Sequence, residues 1–172
     1  MRNQIVLAGT ALLFAAALSA QPAPKTARAE IYNARGEKIG TATLSEVEGG
    51  VKVELDVAQL PPDTHALHIH AVGKCDAPSF QTAGPHFNPE GKKHGTKNPQ
   101  DPHAGDLPNL EGGTDGRAKV SVVAPHVTLG DGPNSLFHPE GTARVIHEKP
   151  DDYMTDPAGN ASARITCGVA QK

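Results

Sequence analysis

The sequence predicts an all-β sandwich or barrel built from about eight short strands. Two observations carry this. Val51, Val53, Leu55 and Val57 alternate with Lys52, Glu54 and Asp56, and period two over seven residues marks a half-buried antiparallel strand. Eighteen glycines and fifteen prolines among 172 residues punctuate the rest, which favours short strands over long helices. There is no tryptophan, so the core must come from Val, Ile, Leu and Ala.

Along the chain, residues 1–20 stand apart. Arg2 precedes a mostly apolar run from Ile5 to Leu18, closed by the small residues of Ala17-Leu18-Ser19-Ala20. This is the pattern of a secretory signal peptide rather than a membrane span. Residues 21–28 are expected to be a flexible leader, and 29–172 a single domain. Strands are expected at Ala29–Asn33, Ile39–Leu44, 51–57, His65–Ala71, Arg117–Ala124, Thr142–Glu148 and Ala163–Val169. Pro61-Pro62-Asp63 makes a turn before the fourth of these. From Val72 to about Gly116 the periodicity disappears, and an irregular stretch of that length inside a compact domain needs a reason. An ion bound by the loop would order it directly.

The formal net charge is −3, and loss of Arg2 would make it −4. This excludes the basic footprint of a nucleic-acid binder. Cys75 and Cys167 are an even pair in an exported chain, most simply a disulfide, with free thiols or a thiolate metal site as open alternatives.

Nine histidines are present, and six fall into a coherent arrangement. His68 and His70, two apart on a strand, share one face. His86, His94, His103 and Asp106 occupy the irregular stretch; three imidazoles and a carboxylate suit tetrahedral zinc. His147 lies on a late strand, and imidazole-only coordination with His68 and His70 suits copper. His65 is read as a structural hydrogen-bonding residue, and His126 and His138 as surface residues.

The stretches His65-Ala-Leu-His-Ile-His70, Ala83-Gly-Pro-His-Phe-Asn-Pro89, His103-Ala-Gly-Asp106, Val145-Ile-His147 and Gly159-Asn-Ala-Ser-Ala-Arg-Ile-Thr-Cys-Gly-Val169 resemble the copper/zinc superoxide dismutases of bacterial periplasmic type. The resemblance implies an eight-stranded antiparallel Greek-key sandwich or flattened barrel with long metal-binding loops. It implies one copper held by His68, His70, His86 and His147, and one zinc held by His86, His94, His103 and Asp106, with His86 as the bridge. It further implies that Arg164 attracts superoxide at the copper mouth, with Lys92, Lys93 and Lys149 along the approach. Asp151 would link a copper histidine to a zinc histidine, and Cys75 would pair with Cys167. Zinc has no redox chemistry, so the implied dismutation to oxygen and hydrogen peroxide falls to copper. Two features depart from the family: Ala66 stands where glycine is common, and Asp131–Glu140 is an unfamiliar loop. A periplasmic copper/zinc binding or storage protein on the same fold is the alternative function. Periplasmic and secreted locations both fit, with no membrane or nucleic-acid partner and a homodimer possible.

Overall fold

The polar-apolar alternation of the first half is realised as three neighbouring strands. In a computed structural model, which describes residues 25–100 and 102–172, β1 (Thr26–Asn33), β2 (Lys38–Val47) and β3 (Gly50–Val57) form an antiparallel meander. Val51, Val53, Leu55 and Val57 are buried as expected, while Glu54 and Asp56 face solvent. Each such apolar side chain contributes about 1.5–3 kcal/mol on burial.

Six further strands follow: β4 (Thr64–His65), β5 (Leu67–His70), β6 (Leu110–Glu111), β7 (Ala118–Ala124), β8 (Ala143–His147) and β9 (Arg164–Val169). Seven strands make one antiparallel sheet in the order β5-β8-β9-β1-β2-β3-β7, and β4 pairs with β6. Three successive connections (β3 to β5, on to β7, and back to β8) join strands that are not neighbours, a Greek-key arrangement. The small ladder links the two edges of the large sheet. β4 runs on into β5 at one edge. β6 turns into β7 at the other, where Gly113 N–H donates to Arg117 O at 2.8 Å. The result is a flattened barrel. Taking β4 and β5 as one strand interrupted at Ala66 recovers the expected count of eight.

That interruption has a local cause. At Ala66 the chain changes partners: its N–H donates to Lys149 O and its carbonyl accepts from His147 N–H, both at 2.9 Å. The expected leader is corrected too. Thr26 to Arg28 already pair with Ser45 to Thr43, because Ala27, Ala29 and Ile31 bury one face of β1. Alanine gives a weak periodic signal, which hid the strand's start. The irregular stretch after Val72 is shorter than expected, broken by a 3-10 turn at Gln81–Ala83 and ended by β6. Residues 1–20, expected to be a signal peptide, lie outside the described residues. Cys75 and Cys167 are disulfide-bonded, and Phe80, Ala83, Ala143 and Val145 pack around Cys167.

Candidate metal centre

Alternation on β5 sends Leu67 and Ile69 into the barrel and leaves His68 and His70 on its outer wall. The irregular stretch is sewn onto that wall through backbone bonds. Phe87 N–H donates to Ile69 O (2.8 Å), Ile69 N–H to Gly105 O (2.9 Å) and Ala71 N–H to Pro85 O (2.9 Å). A Cβ at Gly105 would fall 2.3 Å from Ile69 O, so only glycine permits this approach. His86 is thereby set beside His70, and Asp106 beside His68. β8 adds His147, antiparallel to β5.

The ring nitrogens converge on two points. Nδ1 of His86, His94 and His103 lie 2.9, 3.1 and 3.4 Å from a single oxygen, Asp106 Oδ1. The edge of a zinc tetrahedron with bonds of 2.0–2.2 Å is about 3.3 Å, so these four atoms have the spacing of a ligand shell. Asp106 Oδ2 is occupied otherwise, accepting from Gly95 N–H (2.8 Å) and His103 N–H (3.1 Å). Nδ1 of His94 and of His103 is buried without a directed hydrogen bond.

The second set is all imidazole. His70 Nδ1–H donates to Gly84 O (2.8 Å), and His147 Nδ1 faces Ser162 O (3.4 Å), which leaves both Nε2 atoms facing each other at 3.3 Å. His68 Nε2–H donates to Asp151 Oδ2 (2.9 Å), so His68 offers Nδ1. His68 Nδ1 and His86 Nε2 are both buried without a partner. His86 thus turns one nitrogen to each set. The potential ligand atoms within each of these sets of four residues lie within 4.8 Å of one another.

His68, His94 and Asp151 also come together, but their facing atoms are already bonded. Asp151 Oδ2 accepts from His68 and Oδ1 from His94 Nε2–H, each at 2.9 Å. That trio is a carboxylate link between the two sets. Asp151 is itself held by Tyr153 N–H (2.7 Å) and by a reciprocal pair of bonds between its backbone and the Asn109 amide. Gly159 is required here as well, since a Cβ would sit 1.7 Å from Asp151 Oδ1 and the backbone φ is +61°.

Burial sets the proton affinities. It drives His70 down to about 2, His147 to about 3 and His86 to about 4, with neighbouring imidazoles adding to the shift and keeping these rings neutral. Burial also opposes protonation of His94, but the bonds to Asp106 and Asp151 outweigh it and raise that ring to about 9. Burial would raise Asp151, yet the bonds from His68, His94 and Tyr153 hold it below the ordinary carboxylate range.

A cleft of about 460 Å³ opens onto the imidazole set, lined by His70, His86, His147, Pro157, Ser162 and Arg164. Arg164 is half-buried. Its Nη1 donates to Phe80 O (2.8 Å) and its Nη2 to Gly84 O (2.7 Å), the carbonyl that also holds His70. Burial lowers its pKa. His68, His70, His86, His94, His103, Asp106, His147, Asp151 and Arg164 are therefore brought together, whereas Lys92, Lys93 and Lys149 do not line the cleft, and Lys93 pairs with Asp156 at 3.0 Å. Gly84 O, Asn109, Ser162 O and the Tyr153 backbone were not foreseen, because three of them act through main-chain atoms that carry no side-chain signature. Among the other histidines, His65 is buried with both ring nitrogens 2.9 Å from carbonyls of Pro61 and His147, and His126 is exposed. His138 departs from its expected surface place. It is half-buried and stacks on Phe87 with centroids 5.2 Å apart, tying the unfamiliar loop to the residue after His86. Asn134 of that loop also donates to Glu90 Oε1 (3.0 Å).

A barrel that gathers six imidazoles and one carboxylate into two sets sharing a ring defines a binuclear, histidine-rich metalloprotein. The family model described as copper/zinc superoxide dismutase (SODC) matches residues 38–170. The chain belongs to the copper/zinc superoxide dismutase family. It is 53% identical over 145 residues to superoxide dismutase [Cu-Zn] 1 of Aquifex aeolicus, covering 83% of this chain and 86% of that one. It is 51% identical over 166 residues to superoxide dismutase [Cu-Zn] 2 of the same organism, covering 95% of each. Among solved structures it is similar to a SOD-like protein from Bacillus subtilis, with a TM-score of 0.80, 38% identity and coverage of 83% of this chain and 96% of that one.

Proposed function

We propose that this chain is an exported superoxide dismutase, converting superoxide to oxygen and hydrogen peroxide in the periplasm. His68, His70, His86 and His147 would hold copper, and His86, His94, His103 and Asp106 zinc. The observation that carries the reading is His86, whose two ring nitrogens each face a separate, buried ligand set. When bound, copper supplies a one-electron couple and zinc a redox-inert charge.

The chain's own groups do the rest. The substrate is an anion and the protein is net negative, so local focusing must overcome the global field. Arg164 provides the positive charge on the cleft wall, pinned by two carbonyls rather than neutralised by a carboxylate. Gly84 O couples that guanidinium to the His70 ring, so the anion guide and the copper ligand share one support. His86 also lines the cleft; its Nε2 would carry a proton to a reduced substrate only while that atom is not ligating copper. Asp151 fixes the orientation of His68 and His94. The exported location rests on the signal-peptide pattern of residues 1–20; among the described residues no helix is long and apolar enough to cross a membrane.

The test is metal content and superoxide dismutation measured together on the mature protein reconstituted with copper and zinc. One equivalent of each metal, with activity lost on copper removal and restored by copper, supports the enzyme. Full occupancy without dismutation overturns it in favour of the storage reading.

A further inference from the structure

The metal centre occupies the outer wall of β5 and β8, while the inner wall carries a charge that the proposed chemistry does not use. Arg144 alternates with the outward Val145 and shares the inward face with Ile146, a residue of the barrel core. It is 1% exposed. Its cross-strand partners are Ile69 on β5 and Gly168 on β9. Glycine brings no side chain to that position, and Ile31 packs so closely there that a Cβ at Gly168 would meet its Cδ1 at 2.4 Å. The side chain is thus enclosed in the barrel. Among the described residues Arg144 forms no ion pair, and its side chain hydrogen-bonds through Nη1 to Thr142 Oγ1 at 3.3 Å. Thr142 in turn donates to Leu136 O at 2.9 Å.

Nε and Nη2 of Arg144 are buried without an acceptor. These two nitrogens share one edge of the guanidinium, the fork that elsewhere grips anions with two parallel N–H bonds. A third donor lies on the same wall. Thr166 pairs with Ile146, one step diagonal from Arg144, a separation that a long side chain spans. Thr166 is also 1% exposed, and its hydroxyl is likewise without a partner.

We infer that the Nε–Nη2 edge of Arg144, together with the Thr166 hydroxyl, forms an internal binding site for a small monovalent anion of halide size inside the barrel. An unpaired buried cation is strongly destabilising, and a desolvated anion on the fork offsets that cost as a salt-bridge partner would. Burial lowers the Arg144 pKa to about 9, so the group stays charged at neutral pH and the demand for a counter-charge persists. A weakly hydrated ion suits the site better than a strongly hydrated one, because every hydration contact must be given up on entry.

The probe is bromide. Thermal unfolding of the metal-loaded protein is followed in potassium bromide and in potassium fluoride at matched ionic strength, for wild type and for Arg144→Met. Arg144→Met removes the charge at similar length, and such replacements of buried charges are often tolerated or stabilising. In wild type, bromide at a hundred times its dissociation constant shifts the folding equilibrium about 100-fold, seen as a rise in midpoint of several degrees over fluoride. Arg144→Met loses that difference. An equal bromide response in the two proteins overturns the proposal. Should Arg144→Met fail to fold, Thr166→Val serves in its place, with a reduced bromide response expected and an unchanged one contradicting the site. Crystals grown in bromide give an independent reading: an anomalous peak at the Nε–Nη2 edge supports the site, and ordered water alone there overturns it.

Discussion

Asp151→Asn puts the carboxylate link to a direct test, because an amide cannot reproduce what the carboxylate does. Asp151 accepts from His68 Nε2–H through Oδ2 and from His94 Nε2–H through Oδ1, each at 2.9 Å. Asparagine can accept at only one of these positions and presents N–H at the other. Oδ1 also takes the Tyr153 N–H at 2.7 Å, so the amide oxygen is best kept there and the NH₂ then faces His68. Two donors opposed at that distance are relieved only if the His68 ring moves or shifts its proton to Nδ1. Nδ1 is the buried, unpartnered nitrogen that would ligate copper in the proposed set, and a proton there blocks ligation. Substitution of such outer partners typically costs about 10–100-fold in metal affinity, or roughly 1.4–2.8 kcal/mol. The assay is competition against chelators of known affinity for copper and zinc separately, with the copper EPR spectrum recorded alongside. Copper affinity is expected to fall within that range and the spectrum to change. Unchanged affinities for both metals would refute the argument that this link sets ring orientation.

Arg164→Glu should lower the dismutation rate and reverse its dependence on ionic strength while both metals stay bound; identical kinetics in a fully metallated variant would remove Arg164 from substrate guidance. The metal-free protein should lose stability in acid. His70, His86 and His147 lie at about 2, 4 and 3 when folded against about 6.5 unfolded. The unfolded chain therefore binds more protons below that pH, and stability, complete above it, falls as the pH drops. Asp106 and Asp151, both held below their ordinary range by their bonds, add to the loss at lower pH. His94, raised to about 9, contributes in the opposite sense, losing its share as pH rises through that value. Urea midpoints of the metal-free chain that stay level between neutrality and mild acid would contradict this. Cys75→Ser opens a link spanning 92 positions and should cost up to roughly 4–5 kcal/mol. It should also slow dismutation, because Phe80, which holds Arg164 through its carbonyl, packs in the same cluster as Cys167; an unaltered unfolding midpoint would argue against the first effect.

Strands with clean alternation were legible from the sequence, and so were the candidate ligands that the structure clusters, because imidazole and carboxylate are chemically distinctive and their spacing is fixed by a strand or by a motif. β1 was placed three residues late because alanines at 27 and 29 bury a face without announcing it. β4 and β6 are only two residues each, too short for periodicity to register. The change of partner at Ala66 depends on Lys149 and His147, far along the chain. The supports of the site stayed hidden for a related reason. Gly84 and Ser162 contribute carbonyls and Tyr153 an N–H, groups that nearly every residue type owns. Glycines 105 and 159 were visible within motifs, but the clash each avoids exists only once the loops have closed. His138 stacks on Phe87 from 51 positions away, a contact that no local pattern encodes.

The two metal sets differ in how the chain supplies them, and this bears on how such a centre can be inherited or built. Four residues from His86 to Asp106 complete the proposed zinc set within one contiguous segment, whereas the proposed copper set draws on β5, that same segment and β8, from His68 to His147. The first is a cassette: it can be lengthened, exchanged or transplanted as a unit provided its landing strip on β5 is kept. The second is a property of the whole barrel and has no portable form. Moving or replacing the proposed zinc set is thus open to a change in one segment, while assembling the proposed copper set needs β5, that segment and β8 together.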